Sequence, residues 1–95
     1  MGAKAMTDHS EVLVTGNDMF GVPFCERAQL LDLAQNEFSF ALFRPVSENL
    51  TLRVNFHPDN ELAEFWVEGL VSEVKNRLDG KQTVELKVDG KRLAS

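Results

Sequence analysis

Apolar and polar residues alternate with a period of two in several short stretches of this chain. The clearest is Leu50–Thr51–Leu52–Arg53–Val54–Asn55–Phe56, with its apolar residues on one face and its polar residues on the other. That is the period of a half-buried strand. Phe38, Phe40 and Leu42 alternate in the same way with Ser39, Ala41 and Phe43. Arg44–Pro45 ends that stretch, because proline restricts the residue before it and cannot donate to a ladder. Thr83–Val88 alternates again after the Asp79–Gly80 turn signal. Glu11–Thr15 is short and β-rich and stops at Gly16–Asn17–Asp18, and Phe24–Leu33 resumes an extended pattern. Short strands separated by turns every eight to twelve residues or so predict a small barrel or sandwich.

Residues 61–78 fit two descriptions. Leu62, Phe65, Trp66, Leu70, Val74 and Leu78 have helical spacing, with Asp59 as a cap and Gly80 just past the end. Against a helix, Glu73 and Arg77 fall on the supposed apolar face, and Gly69 costs a helix interior about 1 kcal/mol. As a strand, Phe65, Val67 and Val71 share a face, and Gly69 marks a bend or bulge. The pattern alone leaves both open: an all-β protein, or an α+β protein with an amphipathic helix over 60–78.

The chain has 95 residues, 43% of them hydrophobic. Such a length suits one domain that buries about two-thirds of its extended surface. Residues 1–10 read as a disordered leader or the remnant of a tag, 11–88 as the domain, and 89–95 as a polar tail. Ten Lys and Arg stand against fifteen Asp and Glu, a net charge of −5. An acidic domain argues against nucleic-acid binding, which relies on clustered basic residues. No window approaches 18 consecutive apolar residues, so no membrane-spanning segment is expected. A single cysteine, Cys25, and the lack of a signal-peptide pattern point to the cytoplasm.

Two stretches carry a family resemblance. Val14–Thr15–Gly16–Asn17–Asp18–Met19–Phe20–Gly21–Val22–Pro23–Phe24–Cys25–Glu26 resembles the G-x-D-x-x-G-x-P-F-x-E opening of some bacterial PilZ-like domains. Leu31–Asp32–Leu33–Ala34–Gln35–Asn36–Glu37–Phe38 occupies the place of the family's D/N-x-S-x-x-G motif. The resemblance covers residues 11–88 and implies a small six-stranded antiparallel β-barrel, with 61–78 as a long strand. Many PilZ domains bind cyclic di-GMP through an R-x-x-x-R motif ahead of the barrel. Arginine suits that task because its planar fork pairs with phosphate and stacks on guanine.

This chain departs from the family pattern at the ligand motifs. No arginine precedes Arg27, the family serine is Ala34, and the family glycine is Glu37; only Asp32 is kept. Each lost charge-assisted contact costs roughly 1.5–3 kcal/mol. Cyclic di-GMP is therefore not the expected ligand. Arg27, Asp32, Asn36 and Arg53 remain candidates for a rebuilt nucleotide or anion site, with Arg44 beside them. Their plainer roles are solvated strand-face arginines paired with acidic neighbours and an Asp making a local turn bond. Phe20, Phe43 and Trp66 are the best candidates for contacts beyond the core. Phe43 and Trp66, if exposed, would form an aromatic interaction patch; a closed barrel or an added helix would instead cover them.

No catalytic or metal site is expected. His9 and His57 are the only histidines and lie far apart, with no Cys/His cluster. Cys25 has no reactive-site signature and is expected to be a buried or half-buried thiol. No cofactor is implied. The reading is a non-catalytic PilZ-like adaptor in bacterial signalling, binding a protein partner or a second copy of itself; the alternative is a nucleotide receptor with a non-standard arginine site. A proton–nitrogen NMR titration separates the two. Millimolar cyclic di-GMP is expected to leave the spectrum unchanged, and saturable shifts around Arg27–Asn36 would establish the receptor instead.

Overall fold

The computed structural model describes residues 11–56 and 66–94. The expected leader, the His57–Asn60 loop and residues 61–65 lie outside the described residues. Six strands follow in order: β1 (Glu11–Asn17), β2 (Pro23–Leu33), β3 (Glu37–Leu42), β4 (Thr51–Asn55), β5 (Trp66–Asn76) and β6 (Gln82–Ala94). All neighbours pair antiparallel, in the order β1-β2-β3-β6-β5-β4, and β4 returns to β1 to close the barrel. The protein is thus all-β, the first of the two descriptions the pattern leaves open. No helix among the described residues is long and apolar enough to cross a membrane.

Alternating positions fill the interior. Val12 and Val14 of β1, Phe38, Phe40 and Leu42 of β3, Leu52 and Val54 of β4, and Val84 and Leu86 of β6 are all buried. Val46, from the loop after β3, is also buried and belongs to the same core cluster. Phe38 meets Phe56 edge to face, with ring centroids 5.0 Å apart. Closing the sheet removes the unpaired edges through which strands aggregate.

Strand β5 settles the ambiguous segment and shows why it was ambiguous. Val67 and Val71, off the helical stripe, are buried and Val74 packs against the core. Leu70 is instead an exposed apolar residue whose spacing from Trp66 and Val74 imitates a helix. Gly69 takes the inward position between Val67 and Val71. A register shift between Val71 and Glu73 then turns Val74 inward instead of Glu73. Leu78, counted on the helical stripe, is fully exposed at the following turn. The helix over 60–78 is therefore corrected to a strand from residue 66 to residue 76.

The polar tail is corrected as well, because β6 runs through residue 94. The pairing jumps from Gly69↔Val88 to Val67↔Leu93 and reaches Trp66↔Ala94. Extra residues between Val88 and Leu93 break the two-residue period, so the sequence there does not look like a strand.

Two glycines stand on either side of Leu52, which pairs with Gly16 on β1 and with Gly69 on β5. A Cβ at Gly16, where φ is +152°, would lie 2.7 Å from Leu52 Cδ2. A Cβ at Gly69 would lie 2.8 Å from Leu86 Cγ and 2.9 Å from the Lys87 carbonyl oxygen. A side chain at position 69 would displace a core leucine and a backbone group together. Gly69→Ala is expected to destabilise the fold by about 1–3 kcal/mol, read as a lower urea midpoint at unchanged slope. A midpoint at or above that of the unchanged protein would contradict the packing described.

Candidate functional site

Because every neighbouring pair is antiparallel, the β1–β2, β3–β4 and β5–β6 connections all emerge at one end of the barrel. That end carries Met19, Phe20 and Val22 on the first loop, Phe43 on the second and Leu78 on the third, all of them exposed. Phe20 is 73% exposed and Phe43 65%, too much for either to serve the core. Leu31 and Leu33 lie towards the opposite end, where β2 finishes.

The first loop is locked despite its exposed side chains. Asp18, only 5% exposed, accepts the Phe20 and Val22 N–H groups on Oδ1, each at 2.9 Å. Its own N–H donates to the Val22 carbonyl, and its carbonyl accepts from Gly21 N–H. Met19 N–H donates across to the Pro45 carbonyl at 2.9 Å. Every backbone N–H from Asp18 to Val22 therefore has an acceptor. Gly21 supplies the positive φ of +81° that the turn needs. Arg44 Nη1 stands 3.5 Å from Asp18 Oδ2, and its guanidinium lies over the Phe24 ring.

Glu26 ties β2 to the second loop. Its two carboxylate oxygens accept the N–H groups of Phe43 at 2.8 Å and Arg44 at 3.0 Å. Gln82 Oε1 accepts Val46 N–H at 3.1 Å, which seats the apolar plug of that loop. Asp18, Phe24 and Glu26, all from the opening motif noted in the sequence, thus join the two loops into one surface. Asp18 was legible as turn chemistry, since an Asp accepts bonds from N–H groups shortly after it. The partners of Glu26 lie 17 and 18 residues away, and no local signal announces them.

The other candidates are spread over the barrel. Arg27 faces outward on β2 and bonds Glu11 at 3.2 Å. Arg53 faces outward on β4 with its guanidinium 5.3 Å from the Trp66 ring centre. Strand β1 lies between them, so two strand spacings, roughly 10 Å, separate their backbones. Asp32 is exposed towards the far end of β2, and among the described residues its carboxylate bonds only the neighbouring Leu33 N–H. Asn36, in the β2–β3 turn, accepts Val88 N–H on its carbonyl. These four side chains stand at three separate places. Trp66 is half-buried at the end of β5 opposite Phe43, so the two aromatics do not share a patch. Cys25 is exposed rather than buried, because it alternates with the inward-leaning Phe24 and Glu26.

An open cleft of about 400 Å³ lies between the second loop and the β5–β6 turn, lined by Phe43, Pro45, Asn76, Arg77, Lys81 and Gln82 among others. Arg77 is held by Asp79 through Nε and Nη2, at 3.1 and 3.0 Å. That side-chain bond keeps the Asp79 carboxyl below its ordinary pKa, helped by the Lys81 N–H. Among the described residues no three His, Cys, Asp or Glu side chains gather as metal ligands. Compared with protein-family models, curated proteins and solved structures, the chain matches none.

The Asp18 carboxyl is also held below its ordinary value, chiefly by the Val22 N–H, with the Phe20 N–H and the Arg44 charge adding to it. A carboxyl depressed in the folded state contributes stability above its unfolded pKa and loses it as pH falls through the folded value. Stability is therefore expected to hold down to about pH 4 and to fall below it. Asp18→Asn is expected to be less stable at pH 7 and to lose less on acidification. Parallel acid-unfolding curves for the two proteins would contradict this role.

Proposed function

We propose that this chain is a non-catalytic interaction domain, a PilZ-like adaptor that engages a protein partner through one end of its barrel. The observation that carries the reading is the loop Asp18–Val22. It exposes Met19, Phe20 and Val22 while all its backbone N–H groups are bonded. Exposed apolar side chains on a floppy loop lose entropy when they bind. Held on a fixed frame they lose less, which is what preorganisation contributes to affinity. Phe43 extends the same end from a second tethered loop. Aromatic anchors of this kind dominate protein interfaces.

The nucleotide-receptor alternative draws no such support. Its residues Arg27, Asp32, Asn36 and Arg53 stand apart, and Arg27 and Arg53 already engage Glu11 and Trp66.

Proximity labelling in the source cell, followed by reconstitution of the labelled complex from purified components, tests the reading. Phe20→Ser combined with Phe43→Ser is expected to weaken the complex by about tenfold or more, the loss of a hot-spot pair. Leu31→Ser combined with Leu33→Ser, towards the other end, is expected to leave affinity within about twofold on the same scale. The reading fails if the first pair has no effect, or if both pairs weaken binding equally.

A further inference from the structure

The cleft beside Phe43 has a composition different from the apolar loop next to it. One wall is the exposed Phe43 ring with Pro45; the other is the β5–β6 turn with Asn76, Arg77 and Lys81; Gln82 also lines it. The charged side chains lining it are an arginine and a lysine, with the Asp79 carboxylate beside them. The Lys81 ammonium makes no close ion pair among the described residues, although its charge acts on the Asp79 carboxyl. Gln82 uses its Oε1 on Val46 N–H, which leaves its amide NH₂ to point elsewhere. Arg77 is partly neutralised by Asp79 and is held in place by it and by Thr83 Oγ1. The result is two cations against one carboxylate next to an aromatic face, on a chain whose net charge is −5.

Such a surface complements an anion joined to an apolar group. From this geometry we infer that the cleft receives an acidic segment of a protein partner, with an aromatic or aliphatic side chain against Phe43 and a neighbouring carboxylate against Lys81 and Arg77. The volume of about 400 Å³ is within the range of ligand sites. The cleft is open to solvent, which suits a segment of a partner laid against it rather than a small molecule enclosed. The inference deepens the interaction reading above and rests on it for the ligand's being a protein segment. Carboxylates meeting Lys81 would steer encounter and raise the salt dependence of binding.

Three pools of capped hexapeptides test it by proton–nitrogen NMR on the full chain. Each peptide carries one Phe, Leu or Trp, set among Asp/Glu in the first pool, Asn/Gln in the second and Lys/Arg in the third. Phenyl phosphate serves as a small aromatic anion. The acidic pool is expected to shift the Phe43, Gly80 and Lys81 amides and the Gln82 side-chain amide selectively, and salt is expected to weaken the effect. Lys81→Glu and Phe43→Ala, both at exposed side chains, are expected to reduce acidic-pool affinity about tenfold each, with the rest of the spectrum unchanged. The inference is overturned if the acidic pool leaves these amides unmoved, if the amide pool matches it, or if phenyl phosphate binds the same groups more tightly. A cleft unmoved by acidic peptides, in a protein whose partner still depends on Phe20 and Phe43, defeats this inference and spares the interaction reading. Acidic peptides held in the cleft, with a partner indifferent to Phe20→Ser and Phe43→Ser, would defeat the apolar-end reading instead.

Discussion

Closure of a six-stranded barrel depends here on the space around Leu52. Its two ladder neighbours are both glycine, Gly16 on β1 and Gly69 on β5, and each lacks the carbon that would strike a core leucine. A small barrel has too little interior for every strand to contribute a side chain at every level. Omitting two lets Leu52 and Leu86 fill the centre completely, and both are fully buried. With β4 seated against β1, the sheet has no free edge, and three loops are brought to one end.

The arrangement of that end follows from the closure. Asp18 follows Gly16 by two residues, so the strand that closes the barrel also delivers the carboxylate that organises the first loop. Glu26, on the next strand, reaches the second loop through Phe43 and Arg44 N–H. Met19 completes the connection by donating to Pro45. Backbone polarity is satisfied internally, and the side chains left over are apolar and point to solvent. Buried backbone groups require partners wherever they occur; here the first loop finds them within itself and at Pro45, and the second finds them on Glu26 of β2 and Gln82 of β6. By contrast, the exposed pair Arg27–Glu11 contributes little, since solvent-exposed ion pairs are worth about 0–1 kcal/mol.

Much of this architecture was legible in the sequence. Phe38–Phe43, Leu50–Phe56 and Thr83–Val88 alternate because each has one face on the core, and the structure places their apolar residues accordingly. Alternation also puts Phe43 away from Phe38, Phe40 and Leu42, and it is exposed where they are buried. What the pattern hid came from exposed apolar residues and from departures from period two. The exposed Leu70 and Leu78, four residues either side of Val74, made β5 imitate a helix, and the extra residues after Val88 made the end of β6 look like a tail. The candidate surface was half legible. The polar face that holds Phe43 follows from alternation, but which aromatics it joins depends on which end of the barrel each strand reaches. Trp66 begins an upward strand and Phe43 follows one, so topology separates them. The tethers made by Glu26 and Gln82 span distant parts of the chain and leave no mark in a local window.

Amide hydrogen exchange across Asp18–Val22 and Phe43–Val46 tests most directly whether the apolar end is a fixed surface. Exposed loops ordinarily exchange near the rates of free peptides. Here the Asp18, Met19, Phe20, Gly21, Val22, Phe43, Arg44 and Val46 amides are all bonded, and the account predicts slowed exchange at each of them, alongside the β1 and β4 amides of the closing seam. Exchange at free-peptide rates through these loops, with the strands still protected, would mean that the apolar side chains ride on mobile chain and that the barrel presents no preformed docking face.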